Sequence, residues 1–264
     1  MTGTTDTKSL FVSLIRKFAC DLVLDIGSRD GKQALLFQDI LPRAQVVAFE
    51  ANPLNYQRMA QDSLLNGHIT MFPWAVSDVD GKATFHIAAA DYESPDSEEN
   101  NLGISSLLVH PGVKSSRSME VPTVRLDTLL RQPEYQPRQS IALWIDAESS
   151  EYFILDGMRA VADRVKIIHV ETARTPMRIG QRTYEEVVNL LASLGFVEIG
   201  SAIAKHDFWG DVVFVQKGLL PRVRMAQWKA GVTKRIRIHQ CARFLKERYP
   251  RLYRASRKLF VKVI

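Results

Sequence analysis

The sequence predicts an α/β protein built on a mostly parallel sheet. Three observations carry that reading. Short apolar runs alternate with helix-patterned segments, and such alternation demands parallel strands joined by right-handed crossovers. The first run ends in LDIGSRDG, residues 24–31, where an acid is followed by two glycines four residues apart. The last two runs are joined across HDFWG, too short a link for a crossover, so they form an antiparallel hairpin.

Residues 9–19 carry Leu10, Leu14 and Phe18 at helical spacing, an amphipathic helix. Residues 21–26 (DLVLDI) are a short buried strand. Residues 32–41 form a helix stopped by Pro42, which has no N–H to continue it. Residues 45–50 (QVVAFE) are the second strand. A helix over 53–66 opens on Pro53, suited to a first turn, and closes on Asn66-Gly67. Residues 69–76 are a third strand, and 82–88 alternate as an exposed or edge strand does. Residues 91–103 are acidic and poor in apolar groups, a mobile surface loop of the length used for lids or binding segments. An extended stretch at 119–125 leads into a short helix near 127–130. Residues 140–146 (SIALWID) are a buried strand with its helix at 151–162, and 165–171 (VKIIHVE) are another strand. Residues 183–194 are a helix closed by Gly195, and 196–205 with 211–216 make the final pair. A ligand belongs at the carboxyl ends of the strands, at the topological switch point.

With 264 residues the chain holds one large α/β domain or two small ones. No apolar run reaches the roughly 18 residues of a membrane span. The start, MTGTTDTKSL, lacks the basic lead and apolar core of a secretory signal. Cys20 and Cys241 read as ordinary thiols of a reducing compartment, neither a disulfide framework nor a zinc site. The net charge of +6 is unevenly spread. From Leu219 onward there are 14 Lys and Arg against the single acid Glu247, a segment of +13 that leaves −7 for the rest. Residues 1–218 form the body and 219–264 a basic tail.

The glycine turn bears on the cofactor. A dinucleotide site needs G-x-G-x-x-G, so that backbone approaches the pyrophosphate. Here the pattern is Asp25-x-Gly27-x-x-x-Gly31, with Ser28, Arg29 and Asp30 filling the turn. An acid at the strand tip also repels a phosphate. A cofactor with an ammonium group, such as S-adenosylmethionine, fits better. Glu50 ends the second strand 19 residues after Gly31, where a carboxylate accepts both ribose hydroxyls. NAD sites use the same device, and the plain alternative for Asp25 and Glu50 is helix capping.

In order along the chain, DIGSRDG, VVAFEANPLNY, WAVSDVDGKATF, VRLDTLL, WIDAESSEYFILDGM and IIHVE resemble the FkbM family of S-adenosylmethionine-dependent methyltransferases, over about residues 22–217. The resemblance implies the class I methyltransferase fold, a Rossmann-like seven-stranded sheet with one antiparallel strand. It also implies O-methylation of hydroxyls, often on sugars or polyketide rings. Carried over, Asp25, Gly27 and Gly31 line the methionine end with Ser28 in the same turn. Glu50 holds the ribose with Ala51 beside it, and Ala75, Val76 and Ser77 border the adenine. Two departures stand out. Ser28-Arg29 replaces a small residue followed by Asn, and Glu148-Ser149-Ser150-Glu151 replaces Glu-Gly-Ala-Glu. The second stiffens the backbone after that strand and adds hydroxyls.

Methyl transfer is an in-line displacement in which the protein aligns the acceptor and excludes water. A base or metal helps remove the hydroxyl proton. Asp146, Glu148, His169 and Glu171 stand at the right strand ends. Asp146 is the first candidate for base or substrate contact, with an N-cap or an ammonium ligand as its alternative. Glu171 orients substrate or serves as a capping acid. His169 also reads as a core histidine, and Glu148 and Glu151 as first-turn helix acids. Asp146 with Glu171 could hold a divalent ion, but no third ligand is evident and no metal set is assigned. Ser105 and Ser106 match a Ser pair of the family, and HDFW at 206–209 shapes a pocket mouth or packs as a hairpin.

In the tail, Ile238, Cys241, Leu245, Tyr249 and Leu252 recur at helical spacing among basic residues, and Pro250 divides the pattern. A basic amphipathic helix suits an anionic membrane surface, nucleic acid, or packing on the acidic body or a second subunit. The leading expectation is a cytoplasmic O-methyltransferase of a sugar, glycan or glycolipid, held at the inner membrane face by its tail. The alternatives are a non-catalytic module of the same fold and a nucleic-acid methyltransferase. The latter lacks its Asn- or Asp-Pro-Pro-aromatic motif after the strand that ends at Asp146.

Overall fold

The computed structural model describes residues 6–88, 102–112, 115–203 and 207–223. Residues up to Lys217 form one compact unit. Most of the acidic loop predicted at 91–103, His206, Cys241 and nearly all of the basic tail lie outside the described residues.

Seven strands make the central sheet: β1 (Leu22–Ile26), β2 (Gln45–Phe49), β3 (Thr70–Phe72), β7 (Ile141–Ile145), β8 (Val165–Ala173), β9 (Phe196–Ser201) and β10 (Trp209–Gln216). Their order is β3-β2-β1-β7-β8-β10-β9, parallel except for β10, which runs against both neighbours. This is the class I methyltransferase sheet. The chain runs outward from β1 in one direction and from β7 in the other, so the crevice opens where β1 and β7 end side by side.

The remaining strands differ from the sequence expectation. Residues 69–76 are two strands, because Pro73 has no N–H to carry the ladder. β3 stays in the main sheet. β4 (Ala75–Ser77) joins β5 (Gly81–Ala88) and β6 (Ser115–Arg125) in a second sheet of order β4-β6-β5. β5 is an edge there, as its alternation foretold.

The body carries the helices α1 (Thr7–Lys17), α2 (Lys32–Ile40), α3 (Pro53–Gln61), α4 (Leu126–Leu129), α5 (Glu151–Asp156) and α6 (Tyr184–Ser193). Asn52 caps α3 through its side chain, and Thr183 with Glu186 forms a capping box on α6. α3 stops five residues short of Asn66, and α5 stops before Gly157 rather than running to Ala162. Gly157 abuts β4 so tightly that a Cβ there would sit 2.4 Å from the Ser77 carbonyl oxygen.

The central strands β1, β2, β7 and β8 are largely buried on both faces, as parallel strands are. Cys20 is part of this core, and burial pushes its thiol up to about 12. His169 is core as well. Its ring stacks on Trp144 with centroids 3.5 Å apart and meets Phe11 of α1 edge-on. Both ring nitrogens lack a hydrogen-bond partner, and the nearest acid oxygen, on Asp211, is 4.0 Å away. Burial drives the imidazole down to about 3, so it is neutral and forms no ion pair at neutral pH. An unpaired buried polar ring costs stability. His169→Phe should therefore raise the unfolding free energy by about 1 kcal/mol in urea melts. A loss of stability would show that the nitrogens are satisfied.

Candidate active site

The site begins at the tip of β1. Gly27 and Ser28 both donate their N–H to the Phe49 carbonyl at 3.0 Å, tying the turn to β2. Asp146, just past β7, donates its N–H to the Ile26 carbonyl at 2.9 Å. Gly27 has φ +86°, and a Cβ on it would lie 1.7 Å from the Asp146 carbonyl oxygen. Only glycine permits that approach.

Asp25 sits beneath this turn rather than in the cleft. The Ser28 hydroxyl donates to it at 2.6 Å, and the Ala34 N–H also reaches it. Burial pushes its carboxyl up to about 7. Gly31 packs on Leu65, so Asp25, Ser28 and Gly31 shape the turn from below. Glu50 is different, because it lines the cleft. One of its oxygens accepts the Arg29 N–H and the other the Asn52 N–H, each at 2.7 Å. The Asn55 side chain also hydrogen-bonds to it, so Glu50 keeps only part of a carboxylate's about four lone-pair sites for a ligand. Burial raises it to about 7.

The cleft encloses about 390 Å³. Gly27, Glu50 and Ala51 form one side, and Ala75 and Val76 another. Ser150, noted in the sequence as a departure, lines it too, and so do Trp74, Phe85, Leu107 and Ala147, which the sequence does not single out. Phe85 and Leu107 come from the second sheet and the segment after it. Trp74 immediately precedes Ala75, and its stacking on Phe72 at 4.3 Å fixes it beside the cleft. Ser77 faces Gly157 instead.

Acids crowd the ends of β7 and β8. Asp146 is open to solvent one residue before Ala147. Even so, its desolvated surroundings, then Glu148 and Asp211, push it up to about 6. Half-buried Glu171 rises to about 9, through burial first and then Asp146, Glu151, Glu148 and Asp211. At neutral pH Asp146 is ionised and Glu171 carries a proton, an acceptor next to a donor. Glu148 is raised by burial despite its 2.9 Å ion pair with Arg178. Glu151 has turned inward, where one of its oxygens accepts the N–H groups of Ala147 at 3.1 Å and Ser149 at 2.9 Å. The Ser106 hydroxyl donates to the Glu148 carbonyl at 2.7 Å. Thus Asp146, Glu148 and Glu171 come together, while His169 lies in the aromatic core. Among the described residues no group of three or more His, Cys, Asp or Glu could hold a metal ion.

The loop after β7 carries two left-handed residues that are not glycine, Glu148 at φ +53° and Ser149 at φ +83°. Ser149→Gly should raise stability by about 0.5 to 1 kcal/mol, the left-handed penalty less the extra entropy of glycine. Gly27→Ala should cost about 3 kcal/mol or more, because a Cβ cannot share space with the Asp146 carbonyl. Thermal melts of both variants check the two signs together.

The model of the FkbM methyltransferase domain matches residues 25–198 of this chain. The 2-O-methyltransferase NoeI of Sinorhizobium fredii (strain NBRC 101917 / NGR234) is 27% identical over 192 residues, which cover 70% of this chain and 76% of that protein. Magnesium protoporphyrin IX methyltransferase of Synechocystis PCC 6803, solved with S-adenosylmethionine bound, is 11% identical. The match covers 80% of this chain and 77% of that one at a TM-score of 0.41. A putative caffeoyl-CoA O-methyltransferase from Staphylococcus aureus is 10% identical, covering 81% and 85% at a TM-score of 0.43. The chain belongs to the FkbM methyltransferase family and is an S-adenosylmethionine-dependent methyltransferase.

Proposed function

We propose that this enzyme methylates a hydroxyl oxygen of a sugar, glycan or glycolipid-type acceptor. The observation that carries the reading is the pair of carboxyls at the ends of β7 and β8, Asp146 near 6 and Glu171 near 9. S-adenosylmethionine supplies a methyl on a sulfonium, an electrophile that needs only an aligned nucleophile. Asp146 accepts the proton of the acceptor hydroxyl as the oxygen attacks. Glu171, protonated, donates a hydrogen bond that holds the acceptor in line. Glu50 takes the ribose hydroxyls on its remaining lone pairs. Trp74, Val76, Phe85 and Leu107 give an apolar slot suited to a purine.

Several features favour an uncharged, hydroxyl-rich acceptor. Asp146 and Asp211 disfavour anions such as nucleic-acid phosphates. Phe208 and Trp209 expose their rings, 69% and 55%, and Trp209 pairs with Ala173 just beyond Glu171. Exposed rings at that rim suit the apolar face of a sugar. NoeI is a 2-O-methyltransferase, which agrees with oxygen as the methyl acceptor. No helix among the described residues is long and apolar enough to cross a membrane. The charge pattern of the sequence from Leu219 onward supports a tail that attaches to an anionic membrane surface, which places the enzyme beside lipid-linked glycans.

Glu50→Ala should weaken S-adenosylhomocysteine binding by about 1 to 3 kcal/mol in calorimetry. Unchanged affinity would put the ribose elsewhere. With a saccharide acceptor, kcat/KM should climb as pH rises through about 6, where Asp146 loses its proton, and fall above about 9, where Glu171 ionises. Asp146→Asn should abolish the acidic limb and lower kcat about a hundredfold or more while cofactor affinity stays. Methyl transfer from labelled cofactor to RNA but to no saccharide would overturn the acceptor class.

A further inference from the structure

A second depression, open to solvent and spanning about 270 Å³ with the solvent at its mouth, lies on the far side of the segment that closes the cofactor cleft. Leu107 faces the cleft, whereas Ile104, Leu108 and Val109 face the second cavity. The partition is firmly held. Ser106 exchanges two backbone hydrogen bonds with His86 at 2.8 and 3.1 Å, and its hydroxyl reaches the Glu148 carbonyl. Apolar walls therefore meet a small polar set, His86, His110 and Arg178.

Arg178 decides what the cavity accepts. Its side chain is 6% exposed, and its Nη2 donates both to Glu148 at 2.9 Å and to the Ile104 carbonyl at 2.8 Å. Nε and Nη1 have no acceptor among the described residues. Glu148 neutralises the guanidinium, so the cavity offers directed N–H donors without net positive charge. At His110, Nδ1 accepts the Gly112 N–H at 3.0 Å, which leaves Nε2 to carry the proton in the neutral ring. Donors set in apolar walls match a ring that has apolar C–H faces and oxygen acceptors at its edge.

We infer that this cavity is a distal subsite of the acceptor, which seats a ring next to the one that is methylated, and that Arg178, oriented by Glu148, selects an uncharged hexose there. The inference rests on the sugar reading above and deepens it. Because Arg178 spans from the subsite to the loop that carries Ala147 and Ser150, a seated ring is coupled directly to the cofactor cleft. A uronate would face the nearby acids with the only adjacent guanidinium already paired, and so binds less well.

The test is saturation-transfer NMR on the full chain loaded with S-adenosylhomocysteine. The probes are methyl glycosides of neutral hexoses and methyl glucuronoside as the charged counterpart. The expected result is binding of at least one neutral hexoside and affinity for the uronoside weaker by about fivefold or more. Arg178→Lys keeps the charge but loses the planar fork, and should weaken the neutral probe by about fivefold or more. Leu108→Trp fills the cavity and should abolish the signal. Leu108→Trp should keep S-adenosylhomocysteine affinity within about twofold, which also shows that it is folded, and a cooperative thermal melt checks that Arg178→Lys is folded. Unchanged hexoside binding in both variants, tighter uronoside binding, or no hexoside binding to a chain that does bind S-adenosylhomocysteine would overturn the inference. A wild-type chain that fails to bind S-adenosylhomocysteine would overturn the cofactor placement beneath it as well.

Discussion

The site depends on one close approach, that of Gly27 to the carbonyl of Asp146. β1 and β7 end side by side, and the Asp146 N–H reaches back to Ile26. With 1.7 Å left for a Cβ, no other residue lets the turn after β1 nest against the loop after β7. The two halves of the reaction are thereby fused. The Gly27 turn fixes Arg29, whose N–H holds Glu50, and the Asp146 loop fixes Ala147 and Ser150 across the cleft. Alignment in methyl transfer is a matter of tenths of an ångström, and here it is set by backbone, which side-chain motion does not blur.

Seven acids gather at the carboxyl ends of the strands, and burial or mutual repulsion raises every one. Their partners sort them. Asp25, Glu50 and Glu151 each accept backbone N–H groups, so they spend their charge on loop geometry, and Glu50 alone of these also faces the cleft. Glu148 spends its charge on Arg178. Asp211 accepts from Thr7 on α1. Glu171 is left with neighbours that only raise it, and at Asp146 burial and the acids outweigh the lowering charge of Arg29, the condition under which a carboxyl exchanges protons near neutral pH. A field of this sign also favours a cationic methyl donor over a phosphate-bearing cofactor.

Much of this could be read from the chain, because strand tips announce themselves. Apolar runs that end on Asp25, Glu50, Asp146 and Glu171 mark the carboxyl edge of the sheet, and the spacing of Gly27 and Gly31 marks the turn. The count of seven strands with one antiparallel member came from the FkbM resemblance. The second sheet did not follow from the chain, since Pro73 interrupts what looks like a single run, and β4, β5 and β6 pair across separations that periodicity does not encode. Trp74 was masked by that same misreading. His169 admits two readings in the sequence, catalytic and core, for a physical reason. A histidine near a strand tip resembles a catalytic one until the stacking rings of Trp144 and Phe11 are known. Arg178 belongs to no motif. It matters only because the fold carries it back to Glu148, a contact 30 residues away in sequence.

The departure at residues 148–151 bears on whether the chain works as an enzyme or merely keeps an enzyme's shape. Where relatives of this kind have Gly-Ala, Ser149-Ser150 must hold a left-handed turn without glycine's freedom. A loop released from function relaxes out of such strain, since each left-handed residue costs of order 1 kcal/mol. This one is instead pinned three ways. Glu151 holds the amides of Ala147 and Ser149, Ser106 holds the Glu148 carbonyl, and Arg178 holds the Glu148 carboxylate. Those contacts offset the strain only when all act together, and they keep Ala147 and Ser150 on the cleft wall. Strain retained by so many independent contacts, at the point where cofactor and acceptor meet, is the arrangement of a working site.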